Sequence, residues 1–216
     1  MPYVGMNVHS QATMHPIPLP SPDQRTADIL SRVRIAFAEK GFDGTSMQDL
    51  ARAAGMSAGN FYRYFPSKAA IVEALIAHDL AGMEADFLTV LQSPSPLEAL
   101  RALMQRRLIE QQTRADGQLW AEITAAALRK PEIGQAACAM ETQVAGYINR
   151  IFAAETGLSE AEIMARFPAH AAFAITLFKA AAMLPPQAAA IRGDLTALIQ
   201  RSIDTAMGEI LTAKKA

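Results

Sequence analysis

The chain has 216 residues, a formal net charge of −1, 51% hydrophobic residues and only 6% aromatic ones. That is enough apolar mass for a sizeable core, and a supply dominated by Ala, Leu and Met, without runs of Val, Ile and Thr, favours helices over strands. The most apolar stretch, 167–178, runs into Lys179 and is shorter than the roughly 20 residues that a bilayer span requires, and a single cysteine excludes a disulfide framework.

Residues 1–22 carry five prolines, no Lys or Arg and little periodicity, so they read as a disordered arm and not as a secretory signal. A first helix is expected from residue 23, with Ile29, Leu30, Val33, Ala36 and Phe37 on one face and Gly41 as its stop. Thr45 and Gln48 have the spacing of a capping box for a second helix, whose apolar face is Met47, Leu50, Ala51 and Ala54. Gly55 ends that helix, Ser57 caps a short third one over 58–65, and Pro66 cannot continue it. Ser67 then caps a long fourth helix with Ile71, Leu75, Leu80, Phe87 and Leu91 on its inner face. After the break Ser93-Pro94-Ser95-Pro96, helices are expected over 97–114, over 118–129 following an Asp116-Gly117 break, over 131–156, and briefly after Ser159. Two more follow at 169–184 and 187–211, separated by Pro185-Pro186. The fold class is all-α.

The stretch 47–64 has the pattern of a helix-turn-helix: two helices crossing around a short turn. Ala51 allows close packing, Gly55 tolerates the turn, and Met56, Phe61 and Phe65 are inward anchors, with Met47 in the core. That leaves Ser57, Ala58, Asn60, Tyr62, Arg63 and Tyr64 outward. Asn60 has the amide that pairs bidentately with adenine in the major groove, and Ala58 can meet a thymine methyl. Gly59 permits close backbone approach, and the Tyr62 and Tyr64 hydroxyls can donate to phosphate oxygens. Lys68 brings a cation to the start of the fourth helix. The charge distribution agrees: residues 24–68 hold seven basic and four acidic residues, while 69–216 hold thirteen basic and sixteen acidic ones. No carboxylate lies between Leu50 and Val72, so phosphates can approach without repulsion.

These residues form a recognisable whole. The elements Gly41-Phe42 with Thr45-Ser46, then Leu50-Ala51 with Ala54-Gly55-Met56-Ser57, then Phe61-Tyr62 with Tyr64-Phe65 and Ser67-Lys68, resemble the DNA-binding domain of the TetR/AcrR regulators over about residues 25–75. The resemblance implies an all-helical fold of about nine helices and a dimer made by the last two. It implies that Thr45 caps the second helix and touches phosphate, that Ser57, Ala58, Gly59 and Asn60 lie nearest the bases, and that Tyr62, Tyr64 and Lys68 bind the backbone. The expected organisation is an arm at 1–22, a helix-turn-helix DNA-binding domain at 23–70, and a ligand-binding and dimerisation domain at 71–216.

The expected function is a ligand-responsive transcription regulator, a cytoplasmic homodimer that represses from a palindromic double-stranded operator and is released by a small apolar effector. Candidates for a ligand pocket are Met104, Trp120, Met140, Tyr147 and Phe173, with Arg107 and His170 to orient the ligand. The fourth helix is the expected lever between pocket and DNA. Cys138 reads as a small core residue. The four histidines lack metal-ligand spacing, and neither a nucleophile–base set nor a phosphate-cradling glycine loop is present, so no cofactor and no enzyme activity are expected. The rival readings are a DNA-binding regulator or activator without a ligand, and a helical enzyme with an incidental helix-turn-helix.

Overall fold

A computed structural model of the chain describes residues 22–112, 116–184 and 189–212. The described residues form ten α-helices and no strand: α1 (Pro22–Lys40), α2 (Met47–Ala53), α3 (Ala58–Tyr64), α4 (Lys68–Leu91), α5 (Pro96–Gln112), α6 (Asp116–Ala127), α7 (Pro131–Thr156), α8 (Glu160–Arg166), α9 (His170–Ala182) and α10 (Ala189–Leu211). That is one helix more than the family resemblance implies. Residues 1–21 of the arm expected at 1–22, the expected end of the fifth helix at 114 and the Pro185-Pro186 break lie outside the described residues, while Pro22 begins α1. Asp116-Gly117, read from the sequence as a break, is instead the start of α6.

Local chemistry fixes most helix ends. Ser57 caps α3, its hydroxyl accepting from the Asn60 amide at 3.4 Å, and Ser67 caps α4, accepting from the Ala70 amide at 3.1 Å. Pro131 occupies the first turn of α7, and Gly157, with φ of 73°, closes it. Ser159 and Glu162 cap α8 reciprocally. The start of α2 departs from expectation. Ser46, not Thr45, is the N-cap, and its box partner is Asp49, not Gln48. The Thr45 hydroxyl points inward and donates to the Gly41 carbonyl at 2.6 Å, which leaves the neighbouring Ser46–Asp49 pair to cap the helix.

Two groups of buried side chains organise the packing. One is built from Ile29, Leu30, Val33 and Phe37 of α1, Leu50 and Ala51 of α2, Phe61 of α3, and Phe65. It does not end at residue 70. Ile71, Val72, Leu75 and Ile76 of α4 belong to it, as do Leu119, Ile123 and Ala126 of α6 and Ile133 of α7. The other joins Phe87 and Val90 of α4 to α5, α7, α9 and α10, with Tyr147, Phe152, Ile203 and Ile210 among its buried members. α4 therefore contributes its first half to one core and its second half to the other, and α6 is a wall of the N-terminal core although it is remote in sequence. Cys138 corrects the sequence reading: it is exposed.

Candidate nucleic-acid interface

The recognition surface starts with a turn. Gly55 has φ of 69°, a left-handed conformation that side chains with a Cβ adopt at a cost. The turn lets α3 cross α2, with Phe61 wholly buried and tilted against Phe65 at 5.5 Å between ring centroids. One turn of helix away, the polar side chains face out. Tyr62 is 47% and Tyr64 40% exposed; Ser57, Ala58, Gly59 and Arg63 are exposed and Asn60 is half-buried. A Cβ placed on Gly59 would meet nothing within 4 Å, so the backbone of α3 is open to close approach there.

Asn60, Arg63 and Tyr64 border a cleft of about 270 Å³ together with Arg25 from the start of α1. Arg25 was not among the residues expected at the interface. It lies 35 positions before Asn60, and only the folded chain brings it to the same cleft. The cleft thus carries two guanidiniums, an amide and a phenol, and among its bordering residues no carboxylate.

Two residues expected to contact phosphate have their polar groups engaged within the protein. Thr45 is 1% exposed, and its hydroxyl is spent on Gly41, so its side chain does not reach a ligand outside the protein. Lys68 turns inward over the Phe42 ring, 4.8 Å from its centroid, and its ammonium donates to the Phe42 carbonyl at 2.7 Å and the Thr45 carbonyl at 3.0 Å. It ties the α1–α2 turn to the start of α4, a role that local motif reading did not separate from phosphate binding.

At the start of α2 the titration of Asp49 is displaced. The Ser46 hydroxyl, and then its amide, donate to the Asp49 carboxyl at 2.6 and 3.1 Å. These bonds hold that carboxyl down from 3.8 to about 2, against a smaller opposing effect of burial, with Lys40 helping from 3.5 Å. Asp49 is therefore an anion committed to its own cap. Arg52 lies 3.3 Å from it on the exposed side.

A second feature adjoins this head: a cavity of about 610 Å³ between α1, α4, α5, α6, α7 and α9. Of the seven pocket candidates, Met104, Arg107, Trp120 and Met140 line it. The other three lie elsewhere. Tyr147 is buried and stacked on Phe87 at 5.1 Å. His170 sits at the start of α9, its Nε2 3.0 Å from Glu209 of α10. Phe173 is 42% exposed on the outside of α9. Periodicity identified these as apolar or polar positions on helices without saying which helix each one faces. Arg107 does not stand free in the cavity. Its guanidinium holds Asp86, with Nε 3.1 Å from Oδ2. Arg34 pairs with Asp79, and Lys179 with Glu141, around the same lining. Between these pairs the wall is apolar, with Met83, Met104, Met140, Met183, Phe87 and Phe178 prominent. Among the described residues, no group of three His, Cys, Asp or Glu is placed to hold a metal ion, and no helix is long and apolar enough to cross a membrane.

Residues 29–75, the span of the helix-turn-helix and its supports, match the tetR family of bacterial regulatory proteins. The HTH-type transcriptional regulator EthR of Mycolicibacterium smegmatis is 38% identical over 91 residues, which are 42% of this chain and 41% of that protein. The HTH-type transcriptional repressor KstR2 of Mycobacterium tuberculosis is 32% identical over 82 residues, 38% of this chain and 41% of that one. The chain thus matches less than half the length of either relative. The similarity of fold extends further: a TetR transcription regulator from Haloarcula marismortui superposes with a TM-score of 0.67, covering 87% of this chain and 98% of its own, at 14% identity. The helix-turn-helix segment is thus matched in sequence by the tetR family of bacterial regulatory proteins, and the fold by a solved TetR transcription regulator.

Proposed function

We propose that this protein regulates transcription, as a repressor, by gripping a palindromic operator as a homodimer and letting go when a small, uncharged, apolar effector fills the cavity. The observation that carries the DNA-binding part is the outer side of α3. Tyr62, Arg63 and Tyr64 lie open there, with the half-buried Asn60 beside Arg25, and no carboxylate lies between Leu50 and Val72. Asn60 reads a base edge, with Ser57, Ala58 and Gly59 close to the groove, while Tyr62, Tyr64, Arg63 and Arg25 take phosphates. Relatives named as transcription regulators, EthR and KstR2, support the same reading.

A second copy is the natural occupant of the α9–α10 face. The two helices pack on each other, and their outer sides still carry Phe173, Ile191 and Leu198 exposed. A two-fold pair would bring two α3 helices to successive major grooves, about 34–36 Å apart. The cavity lining supports an uncharged effector. Arg34, Arg107 and Lys179 already have carboxylate partners within the protein, so an ion entering between them would give up its water without gaining a partner.

Sequencing of duplexes retained by the purified chain tests the reading. The expected product is a two-fold-symmetric site. Asn60→Ala should lose discrimination at one base position per half-site, about 1–3 kcal/mol of preference. Arg25→Ala should weaken every duplex alike and lower the salt slope by about one. A chain that retains no duplex at low ionic strength removes the proposal.

A further inference from the structure

We infer that Glu122 of α6 is the positioning residue that transmits the state of the cavity to the helix-turn-helix, by holding the α1–α2 turn; this rests on the effector reading above. The amide of Phe42 donates to Glu122 Oε2 at 2.9 Å. The carboxylate lies so close over the preceding residue that a Cβ on Gly41, whose φ is 74°, would stand 3.0 Å from Oε2. This is a contact between positions 80 residues apart, and it is reinforced at its edge by Arg129, whose Nη2 lies 2.9 Å from Asp43 Oδ2.

Phe42 is tied through Lys68 to the start of α4 and to the turn that leads into α2. Its carbonyl accepts from Lys68, which begins α4 directly after α3. The same ammonium holds the Thr45 carbonyl, one residue before the N-cap of α2. The Phe42 ring stacks on Phe37 of α1 at 5.6 Å between centroids. A pull on the Phe42 amide is therefore felt at the start of α2 and, through Lys68, at the end of α3.

α6 carries that pull from the cavity. Trp120, Ile123 and Thr124 line the cavity, while Leu119, Ile123 and Ala126 pack in the N-terminal core. At 3.6 residues per turn, Trp120 and Glu122 stand about 160° apart around the helix. An occupant pressing on Trp120 and Thr124 works on one flank of α6, and Glu122 holds the turn from the other. The cavity also touches α1 directly at Ala27, Leu30, Ser31 and Arg34, so α6 and α1 are its two walls nearest the DNA head. The fourth helix, the expected lever, runs through both cores; α6 adds a shorter path that ends on a single hydrogen bond.

Coupling of this kind is reciprocal: whatever factor the cavity occupant imposes on DNA affinity, DNA imposes on the occupant. The test measures binding of Nile red, an uncharged apolar dye, to the full chain with and without the duplex selected above. Hydrogen exchange is followed at the Phe42 amide in parallel. In the unaltered chain the duplex should weaken dye binding about tenfold, and saturating dye should speed exchange at Phe42. In Glu122→Ala the linkage should fall below about twofold, with Phe42 exchanging fast whether or not dye is present. Glu122→Gln keeps an oxygen that accepts from the same amide and should retain most of the linkage, which a loss of general stability would not predict. Full linkage in Glu122→Ala, or unaltered exchange at Phe42 in that variant, overturns the inference while leaving the effector reading standing. Dye and duplex that bind the unaltered chain without influencing one another overturn the effector reading itself, and the role of Glu122 with it.

Discussion

The outer surface of α3 and the cavity beside α6 are built in opposite ways. Seven consecutive residues make α3, and one short turn and one serine cap decide which of its side chains face out. The cavity is assembled from six helices that span residues 27–183. Its lining alternates along each helix with side chains that belong to a core, and Ile123 and Phe87 serve as both. A surface made by one local segment is settled by the chemistry of that segment. A concave site made by many segments is settled by how they pack, and small changes in packing alter it without changing any local pattern.

The two regions are nevertheless tied together, and the largest predicted effect tests how tightly. Phe61 is wholly buried in the N-terminal core, and Phe61→Ala should cost about 3–5 kcal/mol. Because α4 belongs to both cores and α6 supports the first, thermal unfolding should remain a single transition moved to lower temperature. If calorimetry instead resolves two transitions, with only the lower one moved, the N-terminal helices fold as a unit of their own and the tie through α4 and α6 is weak.

A smaller effect distinguishes holding the turn from holding DNA. Lys68 donates to two backbone carbonyls, and hydrogen bonds to a charged group are worth about 1.5–3 kcal/mol. Lys68→Met should therefore lower stability to denaturant by an amount in that range and leave the salt dependence of duplex binding where it was. A phosphate contact would behave the other way, with the salt slope falling by about one and stability nearly constant.

This contrast also explains what could be read from the sequence. Helix ends were legible where one residue type has one favoured place: Gly55 and Gly157 at positive φ, Ser57 and Ser159 as caps, Pro131 in a first turn. The α2 cap was misread by one position because Thr45-x-x-Gln48 and Ser46-x-x-Asp49 overlap. Only the inward turn of the Thr45 side chain decides between them. The exposed residues of α3 were legible because they are what remains once Phe61 and Phe65 are assigned to the core. Arg25 and Glu122 were not, because each acts on a segment far along the chain and neither departs from ordinary helix-surface chemistry in its own neighbourhood. Met104, Trp120 and Met140 of the cavity and Tyr147 of the core look alike in sequence; all sit on helices at apolar positions, and which way each helix is rotated depends on its neighbours.

The smallest predicted effect concerns the α2 cap and has a definite sign. The bonds from Ser46 hold the Asp49 carboxyl at about 2 in the folded chain, below its ordinary 3.8. A carboxyl depressed on folding stabilises the fold fully above its ordinary value, and its contribution disappears as the pH falls through the folded value. The α2 cap should thus be intact at neutral pH and loosen progressively between about pH 4 and pH 2. The exchange of the first α2 amides, Asp49 above all, is the direct readout, since its N–H is the one that the Ser46 hydroxyl accepts at 3.1 Å. Asp49→Asn removes the titrating group and should abolish this acid dependence while leaving a weaker, pH-independent cap. The Glu122 contact lies on the far side of the α1–α2 turn and uses a different carboxylate, so the Asn variant should not change dye–duplex linkage at neutral pH. If acid loosens the first turn of α2 equally in both proteins, Asp49 is not the group responsible, and the opening must come from the turn itself.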